Sequence, residues 1–182
     1  MNLYLKAFLA MSIPFAAMTG FIIAGDQGVA NGIATGVAAG VAFGALAAII
    51  LVTLHNKAIA RLPYPEDAKS NAVKQAKSIF VDWDYDTAFT RCAQAISEYG
   101  CRQIQPDPLH GTIVSKSKLD IFSALQSIGM RVIELEPGHC EIQIISRPKM
   151  PTTLLDYGRN LKNVEELARN LLRYNDPEEE QE

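Results

Sequence analysis

The sequence predicts a two-helix transmembrane hairpin followed by a small α+β domain, an antiparallel sheet with helices on one face. Three observations carry that reading. Between Ala7 and Leu54 the only charged residue is Asp26. Within that stretch glycine recurs every four residues. Beyond it, short alternating apolar segments are closed by one long amphipathic segment, the pattern of a sheet covered by helices. The averages conceal this division. The 182 residues carry 17 basic and 20 acidic side chains, for a net charge of −3. Three of the basic and one of the acidic residues fall within the first 61, which leaves 14 and 19 for the remainder. Collagen-like, mucin-like and wholly disordered classes are excluded by composition, and the negative balance argues against nucleic acid as a partner.

The first apolar stretch runs from about Ala7 to Ala24 and the second from about Val29 to Leu54. Each supplies the roughly 20 residues that a helix needs to cross a bilayer core. Gly25-Asp26-Gln27-Gly28 separates them, so the spans must be antiparallel. Lys6 precedes the first span and Lys57, Arg61, Lys69, Lys74 and Lys77 follow the second, while the connection has no basic residue. The positive-inside rule places both termini in the cytoplasm, and the expected location is a bacterial inner membrane. Pro14 should bend the first span. Neither span carries a deep Asp, Glu, Lys or Arg, which argues against a stand-alone pump or proton channel and leaves open a passive oligomeric pore lined by glycine and alanine.

Gly28, Gly32, Gly36, Gly40 and Gly44 lie one helical turn apart, a glycine zipper, with Ala48 continuing the row and Ala30, Ala34, Ala38 and Ala42 beside it. Such small-xxx-small surfaces let membrane helices approach closely. The expected partner is a second copy of the chain or another membrane protein. The alternative is packing against the first span, which offers Ala10, Ala17 and Gly20.

Residues 56–77 read as a basic juxtamembrane linker, with Pro63 and Pro65 ending the membrane helix and Glu66 to Lys77 forming a short amphipathic helix. Its basic residues either form a solvated spacer whose charges only fix topology or meet anionic headgroups. Residues 78–175 read as one cytoplasmic α+β domain. A strand is expected over Ile79–Trp83, then a helix over Ala88–Tyr99 with apolar positions at helical spacing and Gly100 as its stop. Cys101–Gln105 and Thr112–Lys116 should be strands flanking a turn at Pro106–Gly111. Leu119–Ile128 is ambiguous between strand and helix. Met130–Leu135 and Glu141–Ser146 alternate and should form a hairpin about Pro137-Gly138-His139. Arg147–Asp156 should be an irregular crossing, and Asn160–Tyr174 the closing helix, its apolar face built from Leu161, Val164, Leu167, Ala168, Leu171 and Leu172. Residues 176–182 form an acidic tail.

The order of elements is close to that of helix-grip domains, in which a last helix lies across a curved sheet. Ser146-Arg147-Pro148 and Asp156-Tyr157-Gly158-Arg159-Asn160 resemble the close of uncharacterised bacterial membrane-anchored families of unknown function. That resemblance implies the fold and no activity.

Catalytic chemistry finds no footing in the residues. Cys92, Cys101 and Cys140 are an odd number, as expected of reduced cytoplasmic thiols, and with His110 and His139 they lack the spacing of a metal site. His139 and Cys140 are neighbours in a strand and point to opposite faces. No nucleophile elbow, phosphate loop or dinucleotide fingerprint occurs, so no cofactor and no enzymatic site is expected. Arg147, Asp156, Tyr157, Arg159 and Asn160 form the candidate partner surface, although Asp156 or Asn160 could instead cap the last helix. The function expected is a membrane-anchored interaction or assembly subunit. The alternatives are a lipid or apolar-ligand module at the membrane surface, and an enzyme with an unrecognised site.

Overall fold

A computed structural model describes residues 2–64, 72–117 and 126–175. The chain divides into two compact units, Met1–Arg61 and Leu62–Glu182.

The first unit is a pair of antiparallel helices, α1 (Leu3–Gln27) and α2 (Val29–Ala60), both long and apolar enough to cross a membrane. At about 1.5 Å per residue, even the shorter exceeds a 30 Å hydrocarbon core. The break between them is tighter than the four-residue connection expected. Helix α1 continues through Asp26 and Gln27, and Gly28 alone turns the chain. Its φ of 87° and ψ of 160° form a combination open to glycine, and its N–H donates to the Ala24 carbonyl. Helix α2 also runs past Leu54 to Ala60, because no glycine or proline interrupts it before Pro63.

The second unit is a five-stranded antiparallel sheet with two helices on one face. Its elements are β1 (Gln75–Val81), α3 (Tyr85–Glu98), β2 (Arg102–Asp107), β3 (Thr112–Lys116), β4 (Gln126–Glu136), β5 (His139–Pro148) and α4 (Arg159–Asn175). The strand order is β1-β5-β4-β3-β2. Strands β2 to β5 follow one another as a meander, and β1 closes the free side of β5. Helix α4 covers β1 and β5, and α3 packs on β2 to β5.

Alternation decides which face is dry. Ile128, Met130 and Val132 of β4 and Cys140, Ile142 and Ile144 of β5 point to the helices. They meet Ala88, Cys92, Ala95 and Ile96 of α3 and Val164, Leu167, Ala168 and Leu171 of α4. Leu172, expected on that face, is 42% exposed at its edge. The side chains of Ile96, Ile113, Ile142, Ile144, Leu167 and Leu171 are fully buried between sheet and helices.

Several boundaries differ from expectation for local reasons. The helix expected over Glu66–Lys77 falls partly outside the described residues. Its last three positions belong to β1, which begins at Gln75 and pairs with Ser146. Asp84, one residue before α3, accepts from the Thr87 N–H and starts the helix earlier than the apolar spacing indicated. Pro106 and Asp107 are strand, not turn. Proline is tolerated there because β2 is an edge. Most of the ambiguous segment Leu119–Ile128 lies outside the described residues, and its last three positions open β4. Arg147 and Pro148 extend β5 instead of starting the irregular crossing. The hairpin between β4 and β5 turns on Pro137-Gly138, with Gly138 at φ 83°.

Candidate functional site

In the first unit the glycine row has a matching partner. Gly32, Gly36, Gly40 and Gly44 are buried against a second row on α1, composed of Ser12, Ala16, Gly20 and Ala24. A Cβ placed on Gly36 would lie 2.6 Å from the Ala16 carbonyl oxygen and 2.8 Å from the Gly20 Cα. One placed on Gly40 would lie 2.5 Å from the Ala16 Cβ. The backbones meet this closely because neither row has side-chain bulk. Phe15 and Phe43 stack beside the seam with ring centroids 4.3 Å apart. Gly28 stands apart from the row: it is the turn, and a Cβ there would touch nothing within 4 Å. Ala10 and Ala17, offered by the sequence as partners, are exposed, as are Ala30, Ala34, Ala38 and Ala42. Large apolar side chains also face outward, among them Ile13, Phe21, Ile22, Ile33, Val37 and Leu46.

In the second unit, the five residues of the candidate partner surface separate into two groups. Asp156, Tyr157, Arg159 and Asn160 gather at the start of α4, whereas Arg147 stands on the opposite face of the sheet from the helices. The Asp156 carboxylate accepts from the N–H groups of Gly158 and Asn160, 3.2 and 2.9 Å away, and so caps the helix. Tyr157 (φ 53°) and Gly158 (φ 76°) make the left-handed entry that allows this.

Asn160 is fully buried and is no part of a surface. Its amide nitrogen donates to the Val73 carbonyl at 2.7 Å and to Asp156 at 2.8 Å, and its oxygen accepts from Ser146 Oγ at 2.7 Å. Asn163 continues the chain, donating to Ser146 Oγ at 2.9 Å and to Gln126. The single Tyr99 hydroxyl hydrogen is shared between Asn163 Oδ1 and the Glu166 carboxylate, each 3.0 Å from its oxygen. Burial pushes the Tyr99 hydroxyl far above its ordinary titration range, with the Glu166 carboxylate adding to the effect. This network joins the segment ahead of β1, strands β4 and β5, helix α4 and the C-terminal end of α3, and its buried polar groups satisfy one another.

Around the end of the sheet that this network supports lies a groove of about 610 Å³, within the size range of ligand sites. Among the described residues four cations line it: Lys74, Lys116, Arg147 and Lys149. Among the described residues no aspartate or glutamate lines it, and none of the four forms an ion pair. Strand register explains the concentration of charge. Lys116 pairs with Ser127, and Ser127 pairs with Arg147, so the three side chains share one row on the outer face. At about 4.8 Å per strand, the two cations stand roughly 10 Å apart with the Ser127 hydroxyl between them. Lys74 immediately precedes Gln75, the partner of Ser146, and adds to the Arg147 side of the row. On the other side Lys116 is the register partner of Arg102, a like-charge pair that a sheet disfavours. A bulge in β2 puts Gln103 at φ 52°, where its Oε1 accepts from Lys116 Nζ. Lys77, counted with the basic linker, instead faces Glu165 at 2.7 Å.

The titratable groups weighed for catalysis are dispersed. His110 pairs with Asp107 at 2.7 Å and His139 with Asp82 at 3.3 Å, all four well exposed. Cys92 is fully buried, and desolvation pushes its thiol up to about 12. Burial also raises the Cys101 and Cys140 thiols, which disfavours the nucleophilic thiolate. Among the described residues no three His, Cys, Asp or Glu side chains converge as a metal site.

No protein-family model matches this chain, and no curated protein matches it either.

Proposed function

We propose that this chain is a non-catalytic interaction subunit of the bacterial inner membrane, anchored by its helical hairpin with both termini in the cytoplasm. The observation that carries this reading is the outward surface of the helix pair. Its seam is made of glycine, alanine and serine, while isoleucine, valine, leucine and phenylalanine project away from it. A soluble protein does the reverse. An exposed apolar surface of this extent needs apolar surroundings, and in lipid, close backbone packing replaces the hydrophobic effect as the force between helices.

In this reading the glycine zipper closes the hairpin within the chain. Lateral association with a second copy or another membrane protein then uses the outward faces, where the row from Ala30 to Ala42 is the least bulky. The second unit is the part presented to partners. Of the alternatives, an enclosed apolar-ligand cavity has little support, since isoleucine and leucine side chains occupy the space between sheet and helices. Alkaline carbonate washing of membranes, followed by chemical cross-linking of the unwashed fraction, tests the proposal. The full chain should stay with the bilayer and give discrete cross-linked products. Release of the chain by carbonate would refute the anchor. Monomer alone, at every cross-linker length, would refute the association.

A further inference from the structure

We infer that the groove formed by Lys74, Lys116, Ser127, Arg147 and Lys149 binds the phosphate-bearing headgroup of an anionic phospholipid. The inference rests on the membrane anchor proposed above and names the ligand of the soluble unit.

Charge is the first support. The described residues of this unit carry 12 basic and 11 acidic side chains, yet among them this groove gathers four cations and no acid. Random placement among nearly balanced charges would intersperse the signs. Here the register of three strands sets Lys116 and Arg147 on either side of Ser127. Two charged donors flanking a hydroxyl suit a phosphodiester, whose oxygens accept hydrogen bonds from both kinds of group. Among the described residues no acid pairs with these cations, and Lys116 donates to the neutral Gln103 oxygen.

The rim is the second support. Met150, 58% exposed, lies between Lys149 and Pro151, and Val114, 47% exposed, lines the same groove. Apolar side chains interleaved with cations match the boundary of a bilayer, where a phosphate sits next to glycerol and acyl carbons. A site for free phosphate has no use for them. The third support is the tether. Only twelve residues, 62–73, separate Arg61 from Lys74. Anchoring α2 in a bilayer therefore holds the groove at high effective concentration beside headgroups.

The test uses the full chain in nanodiscs and reads the acylation rate of individual lysines by mass spectrometry. Three conditions are compared: phosphatidylcholine alone, phosphatidylcholine with one-third phosphatidylglycerol, and phosphatidylcholine alone with inorganic phosphate in the buffer. Phosphatidylglycerol should slow acylation of Lys116 and Lys149 at least fivefold while leaving Lys162 on α4 within twofold. Replacing Ser127 and Arg147 together (S127A, R147Q) should remove most of that protection. Equal rates in the two lipid compositions would overturn the inference. Equal protection of Lys162 would reduce it to general surface attraction and overturn it as well. Protection by inorganic phosphate in phosphatidylcholine discs would make the ligand a soluble phosphate and refute the lipid source. Failure of the chain to enter nanodiscs at all would refute the anchor instead, a result distinguishable from each of these.

Discussion

Replacing Gly36 with leucine should pry the helix pair apart. A Cβ at Gly36 would stand 2.6 Å from the Ala16 oxygen, where ordinary contact begins near 3.4 Å. The helices must therefore separate by about 0.8 Å before the rest of the leucine is placed. A gap of that size forfeits a quarter to a half of the dispersion energy along the seam, and overpacking of a tight interface typically costs about 1–3 kcal/mol. Taking about 2 kcal/mol, the ratio of closed to open hairpin falls roughly thirtyfold. The assay is the rate of intrachain disulfide formation between F15C and F43C, which replace the stacked ring pair, in a full chain whose native cysteines are alanine. Gly36→Leu should slow the reaction at least fivefold. Ala38→Leu, on the exposed side of the same helix, should leave it unchanged. If Gly36→Leu cross-linked as fast as its parent, the intrachain seam would be wrong.

Other expectations follow from single groups. Ser12 Oγ is buried at the seam without a hydrogen-bond partner, so Ser12→Ala should be neutral or stabilise the pair by up to about 1 kcal/mol, read as thermal inactivation in detergent. Asn160→Leu should destabilise the second unit by about 3 kcal/mol, because it leaves the Ser146 hydroxyl hydrogen without its acceptor, takes the Asn160 donor from the Val73 carbonyl and removes one of three donors to Asp156. Loss of the denaturation midpoint followed by Trp83 fluorescence measures it. Cys92 titrates near 12 when folded against an ordinary 9.0. The folded state favours the neutral thiol, so its contribution is complete below pH 9 and disappears as pH rises toward 12. Thermal scans from pH 8 to 11 should show a falling midpoint, and Cys92→Ala should flatten that fall.

Periodicity made much of this architecture legible. Strand β3 lies where the sequence placed it, and the helical faces of α3 and α4 were readable from apolar spacing. Ser12, Ala16, Gly20 and Ala24 have the same four-residue interval as the glycines but mixed chemistry, so the row is visible only once its partner is known. The start of β1 was hidden because Gln75, Ala76 and Lys77 have no strand signature, and pairing with β5 decides their state. The cationic row was hidden for a different reason. Lys116, Ser127 and Arg147 are far apart in the chain, and only register unites them. The network of Gln126, Ser146, Asn160 and Asn163 follows the same logic: each polar residue alone suggests a wet position, and only together do they satisfy one another in the core.

A membrane hairpin would leave both ends of the chain on one side. Protease protection of the full chain, tagged at each terminus, tests it in inner-membrane vesicles of both orientations. In inside-out vesicles both tags should be cleaved, and in right-side-out vesicles both should be protected. Opposite fates for the two tags, or cleavage of both in right-side-out vesicles, would contradict the account.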